Sequence, residues 1–454
     1  MSEEKIKIGL VGFGRVQFDM DEARRVYAEA ANTLAEIEGS ELVRVADLLT
    51  DLGQARQARQ FLREGGANLL VIFMATFTDA SMLTAFLDES DGENLPLLLW
   101  AVPEPEQGGR LRLNSLCGVN IASYTLASAG KKFRYIYGPP RQPGLLEELT
   151  AQIAALRLDR LMRQARLGLV GVRPPGFYPS GYDELKLWKE IGPQIQTYNL
   201  NQVFKTAAAE VAADRVGEVR EWLGRYLKGL EELNEGEICN AAGSYRALSQ
   251  LAVQDNLTAL AVRCWPEFFT EHTSAACGVL ASLAENGIVA ACEADVHGAV
   301  TMLALRHLTG QPPFLADLVA ADTQKDSVVL WHCGNAAFSL AAEPSERRAG
   351  LHANRKMALT ALFPLKPGPV VLARLSYSQG RYRLFLAEGE ALDSPLLFQG
   401  NTAEIVPKGG SQALLDKIIY GGFEHHLVMA YGGKALRDGM AAWAGLIGLE
   451  VVTI

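Results

Sequence analysis

Acidic and histidine residues in the last third of the chain have the types and spacing that metal binding or proton transfer requires. Glu293 follows the apolar run 288–292 and precedes a helix that begins near Asp295. Because ligands of open α/β sheets bind at the carboxyl ends of strands, an acid at this position is a candidate for binding or catalysis. A second interpretation stays open, in which Glu293 complements the dipole of the following helix. Asp295 is better explained as the N-cap of that helix.

A predicted hairpin brings Asp317 and His332 together. Two apolar runs flank the polar turn 323–326, so that Asp322 faces Ser327. Counting back in register from this pair places Asp317 directly opposite His332. Opposed side chains on one face of a sheet have Cβ atoms roughly 4.5–5.5 Å apart. A carboxylate and an imidazole at that separation can share a metal ion, or can form a hydrogen bond with each other.

The neighbouring cysteines argue against a zinc–thiolate site. Successive strand residues point to opposite faces, so Cys292 and Cys333 should point away from the faces of Glu293 and His332. The remaining donors are mostly oxygens, which favours Mn²⁺, Mg²⁺ or Co²⁺ over a thiolate-bound ion.

A third candidate element is the segment Gly421-Gly422-Phe423-Glu424-His425-His426, which precedes an apolar run. Adjacent histidines after two glycines, at the start of a buried strand, can present imidazole nitrogen to a ligand. The alternative is a surface loop with one packed histidine. The pair is therefore a candidate binding element whose members the local pattern does not distinguish.

Two polar residues near the N-terminus are weaker candidates for binding a substrate. Arg15 and Gln17 follow the first predicted strand and could face a cleft, or could simply contact solvent. Gly12-Phe13-Gly14 in the same turn lacks the third glycine of a dinucleotide-binding fingerprint, so it is a weak signal for a nucleotide.

The elements that must position these residues predict an α/β protein. Short apolar runs alternate with amphipathic stretches up to about residue 309, which is typical of parallel sheets with crossover helices. The later chain contains alternating strands and a hairpin with a predicted loop at 376–380. We therefore expect two doubly wound parallel-sheet domains followed by a β-rich C-terminal domain. The expected boundaries are 1–150, 151–309 with Glu293, and 310–454 with Asp317, His332 and His426.

Composition narrows the function classes. The 454 residues are 49% hydrophobic and 21% charged, which is ordinary for a globular protein of several domains. A net charge of −9 argues against nucleic acid as a partner. No apolar run is long enough for a membrane span and no secretory signal is visible. The six cysteines form no CxxC pair, so we expect reduced thiols and a cytoplasmic protein.

Several short segments resemble the L-fucose isomerase and L-arabinose isomerase family. Cys292-Glu293-Ala294-Asp295 is similar to the fucose isomerase segment Thr-Glu-Asn-Asp, and Phe314-Leu315-Ala316-Asp317 to its Phe-Ala-Asp. The 24-residue interval between Glu293 and Asp317 is similar to that between the family's two carboxylate ligands. His425-His426 resembles the histidine pair near the C-terminus of arabinose isomerases, and residues 366–371 and 380–384 resemble other segments of the same enzymes.

The resemblance implies a set of metal ligands and a reaction. Glu293, Asp317 and His426 would hold a divalent metal, Mn²⁺ or else Co²⁺ or Mg²⁺, and the two acids would also move protons. His332 matches a fourth ligand position of the arabinose isomerase branch, and it is also a candidate for substrate binding. Pairing the strand after His425 with the family strand favours His426 over His425. The reaction would be a metal-dependent aldose–ketose isomerisation, in which a proton moves between C1 and C2 through a cis-enediol.

The sequence leaves the substrate open. Fucose-like and arabinose-like sugars and 6-modified hexoses such as sulfoquinovose, on which members of the family act, are all candidates. Two other functions remain as alternatives: a non-catalytic sugar-binding protein on the same scaffold, and a metal-dependent sugar epimerase or aldolase. The resemblance also implies a homo-oligomer, a trimer or hexamer, in which N-terminal loops of one subunit cover the metal site of another.

Overall fold

The computed structural model describes residues 6–87 and 95–454, and it divides the chain into two compact units. The first unit comprises residues 1–160 and the second residues 161–454. Among the described residues, none of the helices combines the length and apolar character that crossing a bilayer would require.

The first unit is built on a five-stranded parallel sheet with strand order β2-β1-β3-β4-β5. Its central strands are continuous runs of buried apolar residues, because helices that alternate with the strands shield them from water. The strands are β1 Ile6–Phe13, β2 Ser40–Arg44, β3 Leu69–Met74, β4 Leu97–Ala101 and β5 Phe133–Tyr137. The helices are α1 Met20–Ala35, α2 Leu52–Glu64, α3 Ser81–Phe86, α4 Ser115–Ser128 and α5 Leu145–Gln164.

The second unit begins with a four-stranded parallel sheet of order β7-β6-β8-β9. Its strands are β6 Arg166–Val170, β7 Gln194–Tyr198, β8 Ala259–Val262 and β9 Val289–Ala291. Its helices are α6 Glu184–Glu190, α7 Leu200–Ala212, α8 Gly217–Tyr226, α9 Glu235–Gln254, α10 Glu267–Thr270, α11 Cys277–Glu285 and α12 Val296–Thr309. Every pairing in this sheet is parallel, so the carboxyl ends of its strands share one edge.

The same unit contains a nine-stranded mixed sheet of order β12-β13-β16-β11-β10-β17-β14-β15-β18. Its strands are β10 Phe314–Asp322, β11 Ser327–His332, β12 Arg348–Gly350, β13 Thr360–Pro364, β14 Gly368–Ser378, β15 Arg381–Ala391, β16 Asn401–Pro407, β17 His426–Tyr431 and β18 Glu450–Thr453. Two helices follow late in the chain, α13 Ser411–Gly421 and α14 Lys434–Ile447. The α/β class, with two parallel sheets and a β-rich C-terminal region, is thus confirmed.

Two hairpins differ from the prediction in detail. The loop expected at 376–380 is only the turn Gln379-Gly380, whose φ angles of 53° and 76° suit a two-residue turn of the primed type. In the hairpin of β10 and β11, Asp322 pairs with Ser327 as predicted, but the register shifts around Val319. This β-bulge places Asp317 opposite Trp331, so the predicted pairing of Asp317 with His332 is wrong by one residue.

Candidate active site

Glu293 lies at the carboxyl end of β9, in a turn that the backbone adopts at an energetic cost. Glu293 has a φ of 57° and Ala294 a φ of 55°, so two consecutive non-glycine residues are in the left-handed region. Such conformations cost about 1–3 kcal/mol each and persist where the surrounding structure imposes them. The turn leads into α12, whose N-cap is Asp295. Strain at this position is consistent with a functional role for the Glu293 carboxylate.

Asp317 and His426 are brought together by the nine-stranded sheet. They are direct partners in the antiparallel pairing of β10 with β17. His426 is the first residue of β17 and is fully buried, whereas Asp317 is half-buried. The two side chains, 109 positions apart in the sequence, therefore share one face at the centre of the sheet.

Five side chains converge into what we call the acid–histidine cluster: Glu293, Asp317, His332, His425 and His426. His426 Nε2 lies 3.6 Å from Glu293 Oε2 and 3.7 Å from Asp317 Oδ1. A ring nitrogen of His332 lies within 4.8 Å of the ligand atoms of Asp317 and His426. His425 Nε2 is 2.9 Å from Glu293 Oε2 and 4.0 Å from Asp317 Oδ1. The cluster offers oxygen and imidazole donors at separations that one divalent ion could span.

A buried chain of hydrogen bonds orients His426. Its Nδ1 is 2.8 Å from Asp295 Oδ2, and Arg374 donates to both oxygens of Asp295, at 2.6 and 3.0 Å. All three residues are shielded from solvent. Because a carboxylate only accepts, the hydrogen of His426 is on Nδ1 and the lone pair of Nε2 is free. Metal-binding histidines usually have this arrangement.

Asp295 caps α12 and also binds His426 and Arg374, and the backbone at Gly298 lies close to its carboxylate. It accepts a hydrogen bond from the Gly298 N–H at 2.8 Å as the N-cap of α12, in addition to its contacts with His426 and Arg374. A Cβ at Gly298 would lie 2.5 Å from Asp295 Oδ2, so a side chain there would displace the carboxylate. Burial raises the pKa of Asp295, but the charge of Arg374 and the bond to His426 hold it well below its ordinary value.

Glu424 extends this network beyond Arg374. Arg374 Nε donates to Glu424 Oε2 at 3.3 Å, and His297 Nδ1 lies 3.5 Å from Glu424 Oε1. Burial raises the pKa of Glu424, but the charge of Arg374 and hydrogen bonding to His297 outweigh it and lower the pKa to about 2. The buried guanidinium of Arg374 is thus compensated by two ionised carboxylates.

Glu293 is held by hydrogen bonds to both of its oxygens. Trp265 Nε1 donates to Oε1 at 3.2 Å, and His425 Nε2 bonds to Oε2. Burial raises the pKa of Glu293, but the hydrogen bond with His425 helps to outweigh this effect, and the pKa is lowered. The ring of Phe177 lies edge-on to Trp265 and to His425, with centroids 5.1 and 5.4 Å away. These rings make one wall of the cluster apolar.

Sulfur ligands form a separate group. Cys277, Cys333 and His352 have ligand atoms within 4.8 Å of one another, and all six cysteines are free. The backbone N–H groups of Asn354 and Arg355 donate to Nδ1 of His352, at 3.3 and 3.2 Å. The hydrogen of a neutral His352 ring is then on Nε2, which leaves no lone pair for a metal. This group is therefore a poor match to a zinc site.

The structure brings together Glu293, Asp317, His332 and His426, the four residues predicted to bind metal. Arg15 and Gln17, predicted to bind substrate, belong to the first unit at the carboxyl end of β1. Arg15 forms a half-exposed ion pair with Asp79 at 3.1 Å, and Gln17 is exposed.

Sequence reasoning missed several residues that support the cluster. They are Trp265, His297, Arg374, His425 as a partner of Glu293, and Asp295 beyond its role as a cap. The sequence around Asp295 indicated only an N-cap, because its contacts with His426 and Arg374 join segments that are distant in the chain.

Comparisons with known proteins indicate the family to which this chain belongs. A family model described as "Fucose/sulfoquinovose isomerase, N-terminal domain" matches residues 9–156. A sulfoquinovose isomerase of Alkalicoccus urumqiensis is 35% identical over 366 residues, 80% of this chain and 82% of the relative. A sulfoquinovose isomerase of Priestia aryabhattai is 32% identical over 423 residues, 93% of this chain and 94% of the relative. One from Clostridium sp. strain MSTE9 is 30% identical and covers 84% of this chain and 85% of its own length.

The relatives define the class of this protein: it is an aldose–ketose isomerase that acts on a sugar. Similarity of this extent, over nearly the full length of the second relative, also establishes the family. The chain belongs to the fucose/sulfoquinovose isomerase family.

Proposed function

We propose that the protein is a metal-dependent isomerase that interconverts sulfoquinovose and its 2-ketose, through a cis-enediol. The substrate is supported by the relatives named sulfoquinovose isomerase, at 30 to 35% identity over most of the chain. The active site of the proposal is the acid–histidine cluster.

One observation carries the metal dependence: Nε2 of His426 is buried and has no hydrogen-bond partner among the described residues. Its Nδ1 hydrogen is donated to Asp295, and oxygens of Glu293 and Asp317 lie 3.6 and 3.7 Å from Nε2. A buried nitrogen lone pair that faces two carboxylates without a hydrogen between them is expected of a metal ligand. Glu293, Asp317 and His426 therefore suit a hard divalent ion such as Mn²⁺, Co²⁺ or Mg²⁺.

In this proposal the carboxylates of Glu293 and Asp317 transfer the protons. When bound, a divalent ion supplies Lewis acidity that stabilises negative charge on the sugar oxygens. One carboxylate removes the proton from C2 of the aldose and returns it to C1. The other transfers the hydroxyl proton from O2 to O1, so that the product differs only in the positions of two hydrogens. Glu293 and Asp317 suit these roles because each is half-buried and both face His426.

The residues around the carboxylates support this chemistry by orientation and by exclusion of water. Trp265 and His425 fix the Glu293 carboxylate, so little reorganisation is needed when the proton moves. Phe177 packs against both rings and shields that side of the cluster. A shielded enediol is protected from side reactions with solvent.

The proposal is tested with the purified protein, a panel of aldoses and a chelator. We expect sulfoquinovose to be converted to a ketose, activity to disappear after EDTA treatment, and Mn²⁺ to restore it. In D₂O the ketose should carry deuterium at C1, because a carboxylate exchanges its proton with solvent and a transferred hydride does not. Full activity in chelated, metal-free protein would refute the metal requirement, and a ketose that stays free of deuterium through prolonged equilibration in D₂O would refute the enediol.

The same panel separates the two alternative functions. A sugar-binding protein would bind without turnover, and an epimerase or aldolase would give an epimer or cleavage products in the NMR spectrum.

We also propose that the protein is a cytoplasmic homo-oligomer, a trimer or hexamer. The six free thiols support the location, because they suit a reducing compartment, and the family resemblance supports the assembly.

A further inference from the structure

We propose that His332 is a hydrogen-bond donor to a sugar oxygen in the acid–histidine cluster and does not ligate the metal. This inference rests on the function proposed above. It assigns different roles to two imidazoles that lie side by side, with ring centroids 5.5 Å apart.

The backbone of Cys333 determines the position of the ring hydrogen of His332. The backbone N–H of Cys333 donates to Nδ1 of His332 at 2.8 Å. A nitrogen that accepts a hydrogen bond carries no hydrogen itself, so the hydrogen of the neutral ring is on Nε2. A protonated Nε2 has no lone pair to offer a metal. The ring in this orientation is therefore a donor at Nε2.

His426 provides the internal comparison. Its Nδ1 faces the carboxylate of Asp295, which can only accept, so its hydrogen is on Nδ1 and its Nε2 is unprotonated. The backbone donor beside His332 and the carboxylate acceptor beside His426 thus produce opposite tautomers. Metal-binding histidines usually donate from their second nitrogen, as His426 does and His332 does not.

Nε2 of His332 also lacks a hydrogen-bond partner within the described part of the chain. The residue is 3% exposed, and no hydrogen-bond partner of Nε2 is found among the described residues. One ring nitrogen of His332 lies within 4.8 Å of the ligand atoms of Asp317 and His426. Because Nδ1 is turned to the backbone of Cys333, we infer that this nitrogen is Nε2. A buried donor without an acceptor is unfavourable, and a bound sugar oxygen would satisfy it.

The chemistry gives this donor a defined task. Negative charge develops on the sugar oxygens as a proton leaves carbon, and a preorganised N–H directed at such an oxygen stabilises the transition state. Loss of one donor of this kind lowers kcat by roughly 10²–10³-fold. Because the interaction strengthens in the transition state, we expect kcat to fall more than KM rises.

A competing arrangement involves the sulfur of Cys333, which also neighbours His332. A hydrogen on Nδ1 donated to that sulfur would leave Nε2 free to bind metal. We favour the backbone N–H because it is the donor in hydrogen-bond geometry with Nδ1. The variant Cys333→Ala distinguishes the two, since it removes the sulfur and keeps the backbone donor.

The experiment measures Mn²⁺ affinity and kinetics separately. Mn²⁺ is titrated by EPR into metal-free wild-type protein, His332→Gln, His332→Leu and the matched control His426→Gln. We expect both His332 variants to bind Mn²⁺ within about threefold of wild type, and His426→Gln to bind at least ~10-fold more weakly. With sugar, His332→Leu should lose roughly 10²-fold in kcat, and His332→Gln, which keeps an amide donor, should recover part of it.

A wild-type measurement keeps the test independent of variant folding. In protein labelled with ¹⁵N-histidine and loaded with diamagnetic Mg²⁺, His332 should show a protonated Nε2, and Cys333→Ala should leave this unchanged. Loss of Mn²⁺ affinity in His332→Leu equal to that in His426→Gln would overturn the inference, as would an unprotonated Nε2. If wild-type protein isomerises no sugar, the proposed function fails, while the Mn²⁺ and ¹⁵N results still decide whether His332 is a ligand.

Discussion

Replacement of Asp295 by asparagine should separate metal affinity from stability. Asp295 accepts from Arg374 twice, from His426 once and from the backbone of Gly298. Asparagine has nearly the same shape and is an equally good N-cap, so the start of α12 should survive. It is neutral, however, and its amide nitrogen must face Arg374 together with either His426 or the Gly298 N–H, all of which are donors. The substitution therefore removes a charge and creates a clash of donors.

The structure sets the size of both effects. Loss of a carboxylate that orients a metal-binding histidine lowers metal affinity about 10–100-fold, which corresponds to about 1.4–2.8 kcal/mol. Removing one partner of a buried ion pair costs about 3–5 kcal/mol of stability. We expect the lower end, about 3 kcal/mol, because Glu424 remains 3.3 Å from Arg374 and compensates part of its charge.

The assay measures the two quantities on the same samples. Calorimetric titration with Mn²⁺ gives the affinity, and urea unfolding of metal-free protein gives the stability without a contribution from bound metal. Asp183→Asn is the matched control, because Asp183 also caps a helix through its side chain but is exposed and outside the network. It should change both quantities little. Wild-type Mn²⁺ affinity in Asp295→Asn would refute the assigned role of Asp295, and unchanged stability would refute the charge argument.

Further predictions concern the carboxylates, the histidines, pH and assembly. The variants Glu293→Gln and Asp317→Asn should remain folded, as circular dichroism can show, and each should lose at least ~10²-fold in kcat. Near-normal turnover in either variant would show that the replaced carboxylate does not transfer protons. His426→Ala should weaken Mn²⁺ binding more than His425→Ala, because His425 Nε2 bonds to Glu293; the reverse order would contradict the ligand assignment. The pKa of Glu424 is lowered from 4.5 to about 2, so the ionised carboxylate stabilises the folded protein above pH 4.5, and this contribution is lost as pH falls toward 2. The difference in unfolding free energy between wild type and Glu424→Gln should therefore shrink over that interval. A constant difference would exclude the low pKa. Light scattering at assay concentration should show a trimer or hexamer, and an active species of about 49 kDa would refute it.

Much of the fold could be predicted because its signals are local. Apolar runs such as Leu69–Met74 identify buried parallel strands, and the turn after Asp322 fixes the pairing with Ser327. Glu293 could be identified as a candidate because a strand end and a helix start meet there. These patterns depend on a few consecutive residues, so the sequence determines them without knowledge of the rest of the chain.

The tertiary structure alone decided what each histidine can do. The bulge at Val319 shifts the pairing of Asp317 by one residue, and a single extra residue leaves no reliable pattern in a sequence. The tautomer of His426 depends on Asp295, 131 positions away, and Asp295 is in turn held by Arg374, 79 positions away. Sequence spacing identified the donor atoms of the cluster. Which of them keep a lone pair is decided by buried hydrogen bonds between distant segments, because each hydrogen goes to whichever acceptor the fold places beside it.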